Sequence, residues 1–236
     1  MRLTPRQRAS WFAHLFKAAT QQHHQKLRPL LAPHIPSDGT IVDIGAHAGQ
    51  FAKLFAKMAP AGRVYAFEPA EYARSVLTPA LRWSGLRNIT VVALGLSDAA
   101  GELTLHTPVK PSGSLGFGTA HLGGAEVVSR TVNQTVRLTT LDDFAEAQNL
   151  RRLDFIKADV EGWELRALRG GRATLRRFKP ALLLEVDDAF LTRAGDSAAS
   201  LFCWLTQAGY RGFHVPTLKA APNYAGVGDY LFLTVE

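Results

Sequence analysis

Short apolar runs alternate with helical patterns along most of this chain, beginning near residue 40. Such alternation is typical of a largely parallel sheet with helices packed on both of its faces. The predicted strands are 40–43, 63–67, 89–93, 154–158, 181–186, 209–215 and 230–235. The predicted helices are 50–58, 73–83, 141–147, 163–178 and 198–208, with Gly170 and Gly171 interrupting the fourth. We therefore expect an α/β fold built on one seven-stranded sheet.

Two further segments, 103–106 and 132–138, alternate polar and apolar residues with a period of two. They predict an extra hairpin beside the main sheet. The intervening segment 108–131 is rich in Gly, Ser, Thr and Pro and is long for a connection inside a compact domain. Because it follows the third strand, we expect it over the carboxyl ends of the sheet, as a candidate for acceptor specificity.

The first 36 residues have a different pattern, and we expect them to form an N-terminal helical extension (1–36) before one domain (37–236). Five residues make an apolar helical stripe: Trp11, Phe12, Leu15, Phe16 and Ala19. Basic residues flank it: Arg6, Arg8, Lys17 and Lys26. The favoured interpretation is a helix packed on the domain, closing the ligand site, with His23 and His24 in solvent. The alternatives are a membrane-surface helix and a contact in a homo-oligomer.

Composition changes this picture little. Apolar residues make up 47% of the chain, which is ample for a core, and the formal charge is +7 with a pI near 9.8. A basic total favours encounters with anionic partners but does not define an activity. Cys203 is the only cysteine, which excludes an intrachain disulfide and a thiolate metal cluster, and we expect it to be buried. Without a long apolar run or a signal-peptide pattern, we expect a cytoplasmic protein without a transmembrane segment.

The segment 41–50, Ile-Val-Asp-Ile-Gly-Ala-His-Ala-Gly-Gln, joins an apolar strand to a helix through two glycines. Glu68 ends the next strand, where an acid can hold ribose hydroxyls. Gly45 and Gly49 lack the G-x-G-x-x-G spacing of a dinucleotide site, because His47 occupies the position of the middle glycine. Asp43 would repel a pyrophosphate but can attract an amino group. S-adenosylmethionine therefore fits this turn better than NAD.

A second group of acids lies at the ends of the fourth and fifth predicted strands. Asp159 and Glu161 come directly after one strand, and Glu185 lies near the end of the next. A hydroxyl acceptor needs a group that removes its proton, and these acids are the candidates for that role. Glu164 begins the following helix, where the helix dipole by itself favours an acid.

These motifs resemble the FkbM-type family of S-adenosylmethionine-dependent O-methyltransferases. The stretches that carry the resemblance are the D-x-G-A-x-x-G turn at 43–49, F-E-P at 67–69, L-D-D at 141–143, I-K-x-D-V-E-G at 156–162 and the acid-bearing strand at 183–186. Together they cover roughly residues 38–190, and the D-V-E-G combination makes the match specific. The chain has His47 where the family usually has Asn, and Asp187 where it often has His.

The resemblance implies a class I methyltransferase (Rossmann-like) fold with an antiparallel last strand, and methylation of a hydroxyl on a sugar, glycolipid or polyketide-type natural product. For catalysis of that reaction, the acids that the predicted topology places best are Asp159, Glu161 and Glu185. The expected cofactor-binding residues are Asp43, Gly45, Ala46, His47, Gly49, Glu68, Pro69, Leu94 and Asp159. The expected partner is a small-molecule or glycan acceptor with a free hydroxyl.

Three alternatives stay open at this point. The same acids with Asp187 and Asp188 would suit Mg²⁺, a hard cation, although no metal site is the favoured interpretation. An RNA methyltransferase is suggested by the basic charge and by one helical run: Arg166, Arg169, Arg172, Arg176 and Arg177. That spacing also suits an ordinary solvated face, so nucleic acid is the less favoured partner. A cofactor-binding protein without catalysis is the third alternative.

Overall fold

A computed structural model describes residues 4–108, 121–122 and 131–235 of the chain. The strands within these ranges are β1 Thr40–Ile44, β2 Arg63–Phe67, β3 Ile89–Val92, β4 Gly95–Leu96, β5 Gly101–Pro108, β6 His121–Leu122, β7 Thr131–Thr139, β8 Phe155–Ala158, β9 Ala181–Val186, β10 Tyr210–His214, β11 Lys219–Ala220 and β12 Gly228–Thr234. The α-helices are α1 Pro5–Thr20, α2 Arg28–Leu31, α3 Gln50–Met58, α4 Glu71–Ser84, α5 Leu141–Ala147, α6 Glu164–Arg169, α7 Arg172–Phe178, α8 Asp188–Arg193 and α9 Ala198–Gln207.

The main sheet has the strand order β3-β2-β1-β8-β9-β12-β10-β11. The five strands from β3 to β9 pair in parallel, and β12 lies antiparallel between β9 and β10. The expected α/β fold with an antiparallel last strand is therefore confirmed. The sheet has eight strands rather than seven, because the two-residue strand β11 pairs with the outer edge of β10. A strand that short has no detectable period.

A second, four-stranded sheet has the order β4-β7-β5-β6. Its centre is the predicted hairpin, in which β5 and β7 pair antiparallel from Gly101 opposite Leu138 to Pro108 opposite Thr131. The segment expected to confer acceptor specificity lies outside the described residues, apart from its ends and the short strand β6. Its role over the sheet stays a prediction.

The central strands are buried on both faces, which explains why they read as continuous apolar runs. On β1, Val42 and Ile44 point into the larger core with α5, α6 and α9. Ile41 belongs to the opposite core, which includes α3 and α2. Asp43 follows Ile41 by two residues and so shares its face of the sheet, the face covered by α3.

The N-terminal helix α1 packs against α4 with only part of its predicted stripe. Trp11 and Leu15 are half-buried, and the Trp11 Nε1–H donates to Ser75 Oγ at 2.9 Å. Phe12 and Phe16 remain 66% and 63% exposed. The stripe is therefore wider than the face that packs, and its phenylalanine edge points to solvent. The boundary between an extension and a domain at residue 36 stays a prediction.

Helices α9 and α6–α7 differ in detail from the predicted pattern. Cys203 is exposed rather than buried, since the neighbouring α9 residues Leu201, Phe202 and Leu205 supply the face that packs on the sheet. The predicted helix over 163–178 is two helices, α6 and α7, which break at the glycine pair as expected. Among the described residues, no helix is long and apolar enough to cross a membrane.

Gly170 illustrates how tightly the α6–α7 break packs. A Cβ on Gly170 would lie 1.9 Å from the backbone oxygen of Ser97, and neither backbone can yield freely. We expect Gly170→Ala to destabilise the fold by about 1–3 kcal/mol or more, as overpacking does. The measurement is the free energy of unfolding in urea. Gly101→Ala is the matched control, because a Cβ there meets nothing within 4 Å. Equal stability of the two variants would contradict this packing.

Candidate functional site

The predicted site residues meet at the carboxyl ends of β1, β2 and β8. From β1 the chain continues to β2 on one side of the sheet, whereas β8 pairs with the other edge of β1. The order of the strands therefore reverses between β1 and β8. Open α/β sheets bind their ligands in the crevice at such a switch point.

The turn after β1 adopts the left-handed conformations that its sequence implies. Gly45, His47 and Gly49 have φ angles of 75°, 48° and 79°. A Cβ on Gly45 would lie 2.1 Å from the backbone oxygen of Asp159, so only glycine fits where β1 and β8 approach each other. The Gly45 and Ala46 N–H groups both donate to Phe67 O, at 3.0 and 2.9 Å, which ties the turn to the end of β2.

Glu68 is buried at the end of β2 and faces this turn. Its Oε2 accepts from the His47 N–H and its Oε1 from the Ala70 N–H, each at 2.8 Å. Burial raises the pKa of Glu68, and these two amide hydrogen bonds oppose that shift. Each carboxylate oxygen keeps a second lone pair, which can accept from a ribose hydroxyl. The chemistry of Glu68 therefore fits the expected nucleoside.

A buried lysine that the sequence reasoning did not single out joins the two halves of the site. Lys157 Nζ lies 3.5 Å from both Asp43 Oδ1 and Asp159 Oδ2. It also donates to Gly45 O at 3.1 Å. Burial acts to lower the pKa of Lys157, but Asp159 and Asp43 outweigh it and raise the pKa. Lys157 thus stays charged, and the lysine of the I-K-x-D motif was the available signal.

The acids of the second group come together beyond Lys157. Asp159 and Glu185 share a hydrogen bond. Burial and the Asp159 charge raise the pKa of Glu185 to about 8. Burial acts to raise the pKa of Asp159 as well, but Lys157 and the bond to Glu185 lower it overall. At neutral pH the pair therefore holds one proton, on Glu185, and Asp159 is ionised.

Glu161 lies beside this pair in a left-handed backbone conformation, with φ of 55°. Burial, followed by the Asp159 charge, raises the pKa of Glu161 to about 7. The backbone oxygen of Glu161 accepts from Arg193 Nη2 at 3.1 Å, which fixes the turn. Among Asp159, Glu161 and Glu185, Glu161 thus has the pKa nearest to neutral pH.

Asp229 was missed by the sequence analysis and also borders this group. It lies on β12 directly opposite Glu185 in the antiparallel register. Burial and the Asp159 charge raise its pKa. No motif surrounds Asp229, and its neighbour in space is 44 positions away along the chain, so only the sheet topology reveals it.

The other acids of the region have structural roles. Glu164 Oε1 accepts from the N–H groups of Val160 and Gly162, at 2.8 and 3.3 Å, and holds the turn after β8. Asp187 Oδ1 accepts from the Ala189 N–H at the start of α8, and Asp188 Oδ1 accepts from the Ala198 N–H. Within the described ranges, no three metal-ligating side chains are grouped to hold an ion, so Mg²⁺ has no support.

Residues of the N-terminal extension reach the same site, contrary to the expectation for His24. The His24 ring is half-buried and stacks on Phe51 with centroids 4.0 Å apart. Lys157 Nζ lies 5.3 Å from the centre of the Phe51 ring. Burial, followed by the Lys157 charge, lowers the pKa of His24. Gln22 Nε2 donates to Gln50 O at 2.6 Å, which holds this segment beside the start of α3.

The remaining predicted cofactor residues occupy the same edge of the sheet. Asp43 is fully buried at the end of β1, where burial raises its pKa and Lys157 opposes that shift. Burial and Lys157 lower the pKa of His47 to about 4, so its imidazole is neutral. Pro69 follows Glu68, and Leu94 is half-buried after β3. The structure places this set at one edge of the sheet, and its binding of a cofactor stays a prediction.

Comparison with known proteins identifies the relatives of this chain. The family model described as the methyltransferase FkbM domain matches residues 43–211. "Methyltransferase sdnD" of Sordaria araneosa is 32% identical over 161 residues, which cover 58% of this chain and 62% of that protein. "2-O-methyltransferase NoeI" of Sinorhizobium fredii (strain NBRC 101917 / NGR234) is 27% identical over 152 residues, covering 59% and 60%. The chain thus matches less than two thirds of the length of these relatives.

Among solved structures, the methyltransferase FkbM from Methylobacillus flagellatus KT has the same fold, with a TM-score of 0.55. The sequence identity is 20%, and the match covers 83% of this chain and 44% of that one. This likeness concerns the fold alone. It supports the class I methyltransferase architecture that the strand order displays.

The Lys157 contacts predict a strong effect of neutralising that residue. Lys157→Met would leave the buried Asp43 without its cation, and we expect a loss of about 3–5 kcal/mol in the free energy of unfolding. Adding Asp43→Asn should recover part of that loss, because the uncompensated charge is then gone. Urea unfolding of the wild type, Lys157→Met, Asp43→Asn and the double variant measures this. The exposed Lys57 on the adjacent helix is the control, and an equally large loss in Lys57→Met would contradict this interpretation.

The raised pKa of Glu185 predicts a pH-dependent contribution to stability. The folded state holds a proton up to a pKa of about 8, whereas the ordinary value is 4.5. This contribution is therefore complete below about pH 4.5 and is lost as the pH rises to about 8. We expect the melting temperature of the wild type, relative to Glu185→Gln, to fall across this window. The exposed Glu146 provides the control Glu146→Gln. If the melting temperature of the wild type minus that of Glu185→Gln stays constant or grows as the pH rises, the pKa of Glu185 is not raised.

Proposed function

This chain belongs to the FkbM methyltransferase domain family, and we propose that it is an S-adenosylmethionine-dependent methyltransferase that methylates a hydroxyl oxygen of a small molecule or glycan. The observation that carries the proposal is the group of acids beside the glycine turn: Asp159, whose Oδ2 lies 3.5 Å from Lys157 Nζ and whose backbone oxygen faces Gly45, together with Glu185 and Glu161. A hydroxyl needs such a proton acceptor when it attacks. The printed name of the relative NoeI, a 2-O-methyltransferase, agrees with oxygen as the acceptor atom.

The donor site in this proposal is the turn after β1 together with Glu68. Glu68 accepts the ribose hydroxyls, and the left-handed turn at Gly45 to Gly49 lets the donor approach the backbone. Asp43 and Asp159 supply negative charge on either side of Lys157. The bound donor supplies an electrophilic methyl group on a sulfonium. The acids of the site favour that positive charge by Coulomb attraction.

Glu161 is the proposed proton acceptor, since its pKa of about 7 suits transfer near neutral pH. Asp159 remains ionised beside Lys157, and its charge raises the pKa of Glu161, which makes Glu161 a stronger proton acceptor. The protonated carboxyl group of Glu185 donates a hydrogen bond to Asp159 and so keeps that carboxylate in place. As the acceptor oxygen bonds to the methyl carbon, the carbon–sulfur bond breaks and the hydroxyl proton passes to Glu161. Holding the reactants in line supplies much of the acceleration.

The alternative of an RNA acceptor has less support from the arginine run. Arg169 Nη1 contacts Asp196 Oδ1 at 3.0 Å, and Arg166 lies within 4 Å of Asp98 and Asp196. Arg166 also stacks on the Trp163 ring, 4.7 Å from its centre. Charges already paired with acids are poorly placed to contact phosphates. Small hydroxylated acceptors therefore remain the favoured class.

The proposal predicts separate effects on binding and turnover. Glu161→Gln should lower kcat by about 10²–10⁴-fold, the usual range for a lost acid–base group, with a much smaller decrease in S-adenosylmethionine affinity. The wild-type kcat should rise as the pH passes the Glu161 pKa of about 7, and the variant should lose that limb. Calorimetry measures donor affinity. Release of S-adenosylhomocysteine with a panel of sugars, oligosaccharides and hydroxylated natural products measures turnover.

Two comparisons make this test decisive. Glu146→Gln, an exposed substitution of the same type on α5, should leave both affinity and turnover unchanged. Full turnover by both Glu161→Gln and Asp159→Asn would refute the proposed roles. Donor binding without turnover on any hydroxyl acceptor, together with methylation of RNA, would instead identify a nucleic-acid enzyme.

A further inference from the structure

The positive charge of this protein is concentrated in its first 37 residues. That segment contains six of the 27 Lys and Arg residues and none of the 20 Asp and Glu residues. The other 199 residues therefore carry 21 basic and 20 acidic side chains and are almost neutral. Six of the seven excess positive charges thus belong to the segment that forms α1 and the turns after it. The FkbM family model begins only at residue 43, so this segment is additional to the family domain.

Helix α1 has two distinct apolar faces. One face carries Trp11, Leu15 and the buried Ala18, and it packs on α4 and on Ala48 in the turn before α3. The other face carries Phe12 and Phe16, which are 66% and 63% exposed. At about 100° per residue these two rings lie one turn apart and about 40° around the axis, so they form one ridge. Contacts among the residues that the structure describes thus explain the first face only.

Basic residues surround the phenylalanine ridge. Arg8 lies one turn before Phe12 on the same side of the helix, and Arg6 and Lys17 lie toward its solvent flank; all three are exposed. Ala9 and Ala13, also exposed, complete the ridge without adding polar groups. The helix itself is well anchored, because Thr4 and Gln7 form a capping box and Lys53 Nζ donates to Ala18 O. The ridge is therefore presented on a fixed support.

We propose that this face of α1 docks the enzyme on an anionic lipid surface. Phenylalanine rings bury in the boundary between headgroups and acyl chains, while arginine and lysine contact the anionic headgroups. A phosphate backbone would satisfy the basic side chains but gives the Phe12–Phe16 ridge no apolar partner. In a dimer formed through this face, the basic residues of the two copies would face and repel each other. A lipid surface alone satisfies both the charge and the ridge.

Docking through α1 brings the methyl-transfer site near the bilayer. The chain passes from Thr20 at the end of α1 to His24 beside Phe51 and Lys157 in four residues. Four residues span at most about 14 Å, so the docking helix and the site are directly connected. If the proposed function holds, such a position suits an acceptor whose hydroxyl is carried on a membrane lipid. The docking itself does not depend on that function.

The test is flotation of the full-length protein with phosphatidylcholine vesicles, with and without phosphatidylglycerol. We expect the wild type to bind the vesicles that contain phosphatidylglycerol. The double variant Phe12→Ala with Phe16→Ala should bind them with roughly tenfold weaker apparent affinity. Arg6→Glu with Lys17→Glu should also abolish binding, and high salt should weaken it. Thermal unfolding of each variant shows whether it is folded.

Matched controls separate this face from the rest of the surface. Trp83→Ala removes an aromatic side chain that is 72% exposed on α4, and Arg172→Glu with Arg176→Glu makes the same charge change on α7. Both should float like the wild type. An equal loss in these controls, or wild-type binding by the Phe12 and Phe16 variant, would overturn the proposal.

Two other outcomes would replace the lipid by a different occupant. Binding to single-stranded RNA but not to vesicles, lost in the Phe12 and Phe16 variant, would identify nucleic acid. A dimer seen by light scattering and dissociated by that variant, without vesicle binding, would identify a second copy. Donor affinity, measured by calorimetry on the same variants, should be unchanged, so failure of docking and failure of the methyltransferase proposal are distinguishable.

Discussion

The contact of Lys157 with Asp43 and Asp159 is the interaction on which the site depends. It links the ends of β1 and β8, the two strands between which the strand order reverses. The same ammonium donates to Gly45 O, so the glycine turn is held by the charge that neutralises the acids around it. An isolated charge in this interior would be costly, and each of the three groups is tolerated because the others are present.

Most of the fold is predictable because the central strands are buried on both faces and the helices between them have clear periods. The bounds of β2, β9, α3 and α5 coincide with those predicted. The short elements β4, β6, β11 and α8 escape prediction because two or six residues carry no measurable period. The errors at Cys203 and at the Phe12–Phe16 ridge share a cause. An apolar residue in an amphipathic helix is buried only if a neighbour covers it, and the pattern alone does not specify the neighbour.

The residues of the candidate site also fall into those that the sequence predicts and those that it does not. The residues of the turn, Glu68 and the acids after β8 belong to short motifs whose spacing carries their geometry. Asp229 and His24 do not, since they reach the site from the last strand and from the N-terminal segment. Lys157 lies within a motif, but its role depends on Asp43, which is 114 residues earlier in the chain. Sequence reasoning therefore finds the parts of a site that one loop provides and misses those that the topology assembles.

The balance of charges around Lys157 also connects donor binding with proton removal. Asp159 is ionised beside one lysine, whereas burial keeps the pKa of Glu161 at about 7 and that of Glu185 at about 8. A cationic donor placed among these groups attracts the ionised forms and so lowers both pKa values. By reciprocity, ionisation of the acids strengthens donor binding to the same extent. The site thus becomes able to accept the hydroxyl proton when the methyl donor is in place. Burial supplies this coupling, because the same acids in water would be ionised with or without a donor.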